Sequence, residues 1–342
     1  MTGLKRFDHV PEAMLSATSI ELDQVLGGPA LFYLEGVRKP PLFITVLQHG
    51  NEPTGFEAIQ QILLKYQTRG LPRAVWLFVA NVNAAAAGVR TLDNQSDYNR
   101  AWPGTTAAAT AEAALMREVV ETVTAEPLFA SVDLHNNTGS NPHYGCVNKL
   151  QPEYLQLATL FARTVVYFKQ PVGVQSLAMA RHCPAVTLEC GQAGEHAALS
   201  HAIDFLDACL HLHHLPDHQV GPHDISILRT VAVAKMRPGV TFGFDGDDAV
   251  DVCFRGDLDK LNFSTIAAGE ALAGLSHDMD VPIIVTNDDG EDISASLFEI
   301  AGGKLMLRQS LTPSMATLDV GVIRQDCLFY VMEHMSLPEA GD

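Results

Sequence analysis

The feature that most constrains the fold is a regular alternation of short apolar runs with longer amphipathic stretches between residues 30 and 215. Short apolar runs are typical of buried strands, whereas apolar residues spaced three or four positions apart are typical of helices. Their alternation predicts a mostly parallel, mixed α/β sheet with flanking helices. The predicted strands are Leu31–Gly36, Leu42–Leu47, Val75–Ala80, Ala130–Leu134 and Pro184–Leu188, and the predicted helices are Pro53–Tyr66, Thr110–Thr124, Pro152–Phe168 and Glu195–His214.

The pattern changes after His218, where short β-rich runs are separated by turns of Gly, Asp and Asn. Residues 221–342 also carry 20 acidic side chains against only 8 basic ones. We therefore predict two domains, an α/β domain over residues 1–218 and a smaller β-rich domain over residues 219–342. Pro216–Pro222 is the predicted linker between them.

The charge of the chain limits its partners. With 22 Lys and Arg against 40 Asp and Glu, the formal net charge is −18, which argues against nucleic acid and anionic membranes as partners. Neither a membrane-spanning apolar run nor a signal-peptide pattern is apparent, and none of the six cysteines forms a C-x-x-C pair. We expect a cytoplasmic protein with reduced thiols, in which a homo-oligomer is possible.

Two histidines and a glutamate follow the ends of predicted strands. His49 and Glu52 come directly after one strand, and His135 comes directly after another. Open α/β sheets bind ligands at the carboxyl ends of their strands. Three protein ligands with a fourth position open are typical of a catalytic zinc, so we predict one Zn²⁺ per chain. The alternative for His49 is a turn histidine, and a second His-x-x-Glu pair, His9 and Glu12, follows no strand and is not expected to bind metal.

Two acidic residues have candidate roles at the same edge of the sheet. Asp133 precedes His135 by two positions, so both side chains leave the same face of the strand and Asp133 can accept a hydrogen bond from the imidazole. Glu189 follows the strand Pro184–Leu188 and is suited to carry a proton from water to a leaving amine. The alternatives are a buried Asp bound by backbone N–H groups and a solvated or helix-capping Glu.

Two arginines lie in the long segment that follows Val75–Ala80. Arg90 is suited to stabilise an oxyanion facing the metal, and Arg100 beside Asn99 is suited to bind a substrate carboxylate. A surface ion pair is the ordinary alternative for each arginine.

Four motifs occur in a fixed order over the first 215 residues: HGNEPTG (49–55), DYNR (97–100), DLHNNTG (133–139) and TLECG (187–191). Together with Arg90 they resemble the aspartoacylase and succinylglutamate desuccinylase family of the zinc carboxypeptidase superfamily. The resemblance implies a zinc-carboxypeptidase-like α/β domain followed by a smaller β domain. It also implies that His49, Glu52 and His135 are zinc ligands and that Glu189 is the general base. Arg90 would polarise the carbonyl, and Asn99 with Arg100 would bind the carboxylate of the substrate.

The leading interpretation is a zinc-dependent amidohydrolase that removes an acyl group from an N-acyl amino acid or a similar small amide. A zinc carboxypeptidase acting on short peptides is the first alternative, and a catalytically silent zinc-fold binding module is the second. Aspartoacylases use a further arginine shortly before the catalytic glutamate, whereas Arg181 lies too near Glu189 to match it. A monoanionic or neutral substrate therefore fits the sequence better than a dianionic one.

Overall fold

The computed structural model describes residues 3–246 and 249–337. They form two compact units. Residues 3–136 and 143–227 belong to the first unit, and residues 137–142 with the described residues of 228–336 belong to the second.

The first unit contains a mixed sheet and seven helices among its described residues. In the sheet the strands run in the order β1-β2-β4-β3-β5-β8-β6-β7. The strands are β1 (Lys5–Phe7), β2 (Ala30–Leu34), β3 (Gly36–Val46), β4 (Leu71–Val79), β5 (Ala130–Asn137), β6 (Tyr144–Val147), β7 (Thr164–Tyr167) and β8 (Ala185–Gln192). The helices are α1 (Leu22–Leu26), α2 (Thr54–Tyr66), α3 (Val82–Ala86), α4 (Ala111–Val123), α5 (Pro152–Thr159), α6 (Gln175–Met179) and α7 (His196–His211).

The centre of this sheet is parallel, as the sequence predicts. β3 pairs with β4 on one side and with β5 on the other, both in parallel. Thr45 lies opposite Asp133 in the second pairing, so β3 and β5 end side by side. All eight residues of β5 are buried, which requires cover on both faces of the sheet. The residues that follow β3 and those that end β5 are thereby brought together.

Helix α2 shows how closely the elements approach. Its apolar residues Phe56, Ile59 and Ile62 are fully buried, each contributing roughly 1.5–3 kcal/mol relative to an exposed position. Gly55 is required near the start of the helix, because a Cβ there would lie 2.7 Å from the Cβ of Leu134 in β5. The absence of a side chain at Gly55 therefore allows α2 to pack directly against β5.

A buried arginine joins α7 to the strands of the sheet. Arg73 donates from Nη1 to the Pro40 carbonyl at 2.7 Å and from Nη2 to the Leu212 carbonyl at 2.5 Å. Its guanidinium also lies 3.7 Å from the centre of the Phe129 ring. Leu212 follows the last turn of α7, where carbonyl groups lack helical partners and favour a cation.

One predicted helix is wrong in its second half. The sequence predicts a helix over Pro152–Phe168, but α5 ends at Thr159 and Thr164–Tyr167 forms strand β7. β7 pairs in parallel with β6, a strand that the sequence analysis does not predict. Val165 and Val166 are β-branched, and this side-chain type favours the extended conformation once a partner strand is present.

The second unit is rich in β-strands, in agreement with the change of pattern after His218. Five strands form a sheet in the order β10-β11-β12-β15-β14, β13 pairs with β9, and β16 pairs with β17. Its elements are β9 (Ser226–Met236), β10 (Phe242–Phe244), β11 (Val252–Phe254), β12 (Ala271–Leu275), β13 (Ile283–Asn287), α8 (Ser294–Leu297), β14 (Phe298–Ala301), β15 (Lys304–Leu307), β16 (Thr312–Ser314), α9 (Val320–Gln325) and β17 (Phe329–Met335).

In the part of the chain that the structure describes, no helix combines the length and apolar character needed to cross a lipid bilayer.

Candidate active site

The turn that carries His49 is held in an unusual backbone conformation. β3 ends at Val46, and Leu47 then adopts a positive φ of 57°, which costs a residue with a side chain roughly 1–3 kcal/mol. Gly50 lies against helix α3, because a Cβ at this position would be 2.2 Å from the carbonyl carbon of Ala84. The Gly50 amide also donates to the Arg90 carbonyl at 3.1 Å. These contacts direct His49 and Glu52 towards the end of β5.

Three predicted metal ligands form one buried cluster. His49, Glu52 and His135 each offer a ligand atom, and these atoms all lie within 4.8 Å of one another. The His49 Nδ1 is 2.7 Å from Glu52 Oε1, and the His135 Nδ1 is 2.7 Å from Glu52 Oε2. Among the described residues, this is the one group of three or more His, Cys, Asp or Glu side chains with such spacing.

Both imidazole rings are oriented by carboxylates on their far sides. His135 Nε2 lies 2.9 Å from Asp133 Oδ2, which places Asp133 where the sequence analysis predicts it. His49 Nε2 lies 3.1 Å from Asp97 Oδ1. Both nitrogens of each ring therefore lie within hydrogen-bond distance of a carboxylate, with Nε2 towards Asp97 or Asp133 and Nδ1 towards Glu52.

These contacts strongly perturb the acid–base equilibria of the cluster. Burial alone would lower the pKa of His135, but Asp133 and Glu52 together raise this pKa well above its usual value. Burial would raise the pKa of Glu52, but the two histidines hold the pKa of its carboxyl well below its usual range. The Glu52 carboxylate is therefore ionised throughout the physiological pH range.

Glu189 ends up at the same edge of the sheet, in strand β8 beside β5. Burial raises the pKa of its carboxyl from 4.5 to about 7; the charge of Glu52 adds to this rise, whereas His135 and His49 oppose it. A carboxyl group with a pKa near neutral pH exchanges protons readily under physiological conditions. The environment of Glu189 thus suits a group that accepts a proton and later returns it.

The structure also places Arg90 next to the cluster. Its Nη2 lies 3.0 Å from Asp97 Oδ2, and its Nη1 lies 3.7 Å from Glu52 Oε1. Its side chain is only 11% exposed, so the ordinary alternative of a surface ion pair is wrong for this residue.

Asn99 and Arg100 belong to a short helical turn, Tyr98–Arg100, that follows Asp97. The side-chain nitrogen of Asn99 is 3.3 Å from His135 Nε2. The side-chain oxygen of Asn99 accepts from the Gln48 side chain and from the backbone N–H of Gln175. Arg100 Nη1 donates to the Asn99 carbonyl at 2.9 Å. Both residues therefore lie beside the cluster, and their binding of a substrate carboxylate stays a prediction.

Sequence reasoning missed two residues that organise the site. Asp97 accepts hydrogen bonds from His49, from the backbone N–H of Asn99 and from Arg90. It belongs to the DYNR motif, but the sequence assigned roles only to its neighbours in that motif. Asn136 accepts from the Thr54 amide at the start of α2 and donates to the Gly191 carbonyl at the end of β8. The position of Asn136 directly after His135 is the sequence feature that could have identified it as part of the site.

The donor chemistry of the cluster fits a zinc ion. Two imidazole nitrogens and one carboxylate oxygen converge, and each imidazole has a carboxylate on its far side.

The comparison with protein families identifies the family of the chain. The family model described as the succinylglutamate desuccinylase/aspartoacylase catalytic domain matches residues 39–210 of the 342. The chain belongs to this family. The matched range contains the cluster, Arg90, Asn99, Arg100 and Glu189, and the family consists of hydrolytic deacylases, so the protein is an enzyme of this type. The predicted family and fold class are confirmed.

Solved structures share the fold over most of the chain. The succinylglutamate desuccinylase from Chromobacterium violaceum is 18% identical with a TM-score of 0.57, and the alignment covers 87% of this chain and 86% of that one. Murine aminoacylase 3 is 15% identical with a TM-score of 0.56, and the alignment covers 87% and 97% of the two chains.

A third structure is the product-bound ectoine utilization protein EutE from Ruegeria pomeroyi. It is 15% identical with a TM-score of 0.54, and the alignment covers 88% of this chain and 87% of that one. No curated protein sequence matches the chain.

Proposed function

We propose that the protein is a zinc-dependent amidohydrolase that removes the acyl group from an N-acyl amino acid or a similar small amide. The observation that carries the proposal is the convergence of two Nδ1 atoms and a carboxylate beside a buried glutamate whose pKa is about 7. Solved relatives named as a succinylglutamate desuccinylase and an aminoacylase support this substrate class.

The proposed metal site consists of His49, Glu52 and His135, with Asp97 and Asp133 holding the two rings. A zinc ion bound there supplies a Lewis acid for the substrate carbonyl and for a water molecule. Each ring would bind the ion through Nδ1, because its Nε2 faces a carboxylate that can accept the ring proton.

Glu189 is the proposed general base and acid. Its carboxylate form accepts a proton from the attacking water, and the resulting carboxylic acid returns that proton to the leaving nitrogen of the amide. A pKa near 7 lets both transfers proceed without a large energetic mismatch.

The proposed role of Arg90 is to stabilise negative charge that develops on the carbonyl oxygen. Asp97 holds its guanidinium beside the cluster. Arg100, with the Asn99 amide nitrogen as a second donor, is proposed to bind the carboxylate of the substrate. A single carboxylate-binding pair favours a monoanionic substrate.

Elemental analysis of protein purified without added metal tests the metal site. We expect near-stoichiometric zinc in the wild type and almost none in a His49→Ala/His135→Ala variant. His9→Ala is the matched control, because His9 also begins a His-x-x-Glu sequence but its side chain is 77% exposed. Unchanged zinc content in the double variant would refute the metal assignment.

A screen of N-acyl amino acids and short peptides tests the reaction. Glu189→Gln should keep the fold and the zinc but lose nearly all turnover of any substrate found. Turnover of peptides alone would favour a carboxypeptidase, and substantial turnover by Glu189→Gln would assign the proton transfer to another group.

A further inference from the structure

A buried hydrogen-bond network lies behind the ligand His135. Trp102 Nε1 donates to Gln48 Oε1 at 2.6 Å, and Gln48 Nε2 donates to Asp133 Oδ2 at 2.6 Å. Asp133 Oδ2 in turn accepts from His135 Nε2 at 2.9 Å. Trp102, Gln48 and Asp133 are all 0% exposed, so solvent does not compete for these bonds. We call these three residues the Trp102 network.

The direction of each bond in the network follows from the first donor. An indole N–H can only donate, so it requires the carbonyl oxygen of the Gln48 amide to face Trp102. The Gln48 NH₂ group then faces Asp133, and it also lies 3.3 Å from Asn99 Oδ1. Asp133 holds the Nε2 side of the His135 ring, which leaves Nδ1 as the nitrogen that faces Glu52 and would bind the proposed zinc ion.

The network also fixes the orientation of the Asp133 carboxylate. Asp133 Oδ1 has no hydrogen-bond partner among the residues that the structure describes, and both bonds to this carboxylate converge on Oδ2. Removing the Gln48 donor would leave His135 as the remaining partner and would free the carboxylate to rotate. The position of Asp133 therefore depends on an amide whose own orientation depends on an indole.

We infer that Trp102 and Gln48 are positioning residues that set the metal-binding orientation of His135 through Asp133. This inference rests on the proposed zinc site and assigns a role to two residues outside the predicted ligand set. Outer partners of metal ligands commonly contribute 10–100-fold in metal affinity, and we expect about tenfold for residues that act through Asp133.

The first test measures the zinc dissociation constant by competition with a chromophoric chelator. Gln48→Met keeps the length of the side chain but removes its hydrogen bonds to Trp102, Asp133 and Asn99. Trp102→Phe keeps an aromatic ring but removes the N–H donor. Each should weaken zinc binding about tenfold. The double variant should also lose about tenfold rather than about a hundredfold, because the two residues act in series.

Phe78→Leu is the packing control. The Phe78 ring contacts Trp102 edge-on with centroids 6.1 Å apart, and it takes no part in the network's hydrogen bonds. The control should lower the melting temperature and leave the zinc dissociation constant within about twofold of wild type. If Phe78→Leu weakens zinc binding as much as Trp102→Phe, packing rather than the N–H donor explains the effect and the inference fails.

A second readout needs no metal. The chain has two tryptophans, so the indole N–H resonance of Trp102 is assigned by its loss in Trp102→Phe. We expect slow hydrogen exchange at this N–H in the wild type and fast exchange in Gln48→Met. Equal exchange rates, or wild-type zinc affinity in both variants, would overturn the inference while leaving the zinc site intact. A wild-type protein that binds no zinc would instead overturn the proposed function.

Discussion

Replacing Gly50 by alanine should displace the metal-binding turn. The added Cβ would lie 2.2 Å from the Ala84 carbonyl carbon and 2.2 Å from the Ala85 nitrogen. Contacts between such heavy atoms are comfortable only beyond about 3.4 Å, so the turn or helix α3 must move by about 1.2 Å. Gly50 directly follows His49, a proposed zinc ligand, and an error of about 1 Å in a positioned group can cost roughly a hundredfold in function.

We therefore expect Gly50→Ala to weaken zinc binding by about a hundredfold while the protein stays folded by circular dichroism. Gly274→Ala is the matched control, because a Cβ at that position meets nothing within 4 Å and the residue lies in β12. Competition with a chromophoric chelator gives the zinc dissociation constant of both variants. A Gly50→Ala protein with zinc affinity within about twofold of the wild type would show that the close contact does not position the turn.

Three further outcomes are expected. Arg73→Met should lower the free energy of unfolding in urea by about 3 kcal/mol, because two charge-assisted hydrogen bonds in a buried position are lost, whereas exposed Arg69→Met should change it by less than about 0.5 kcal/mol. Thr110→Ala should cost about 1 kcal/mol in the same assay and Thr110→Ser almost nothing, because the hydroxyl caps helix α4 by accepting from the Ala113 amide. In the metal-free protein the raised pKa of Glu189 predicts a protonated carboxyl below about pH 7 and a carboxylate above it. Infrared difference spectra should show this conversion. If the same spectral change persists in Glu189→Gln, another carboxyl group is responsible for it.

The main elements of the site were predictable because they depend on a topological rule. His49 and Glu52 follow β3, whereas His135 and Glu189 lie in the second halves of β5 and β8. The carboxyl ends of neighbouring parallel strands meet at one edge of a sheet. Locating the strands was therefore enough to bring these residues together without knowing any distance between them.

The partners of these residues were not predictable in the same way. The bond between Trp102 and Gln48 joins positions 54 residues apart, and it depends on how the segment after β4 folds back on the sheet. The local sequence pattern also gave a wrong prediction over Thr164–Tyr167. The helical spacing of the preceding residues predicts a helix there, whereas pairing with β6 makes this segment a strand. Both failures concern contacts between segments that are distant in the sequence.

Asn136 links the docking of α2 to Glu52, a proposed ligand of the metal. One carboxamide connects the first turn of α2 to the end of β8, and the backbone N–H of the same residue donates to Glu52 at 3.2 Å. Any opening that detaches the start of α2 must therefore also loosen a ligand, so a bound ion resists that opening. Amide hydrogen exchange in the first turn of α2 should therefore slow when zinc is added to the metal-free protein.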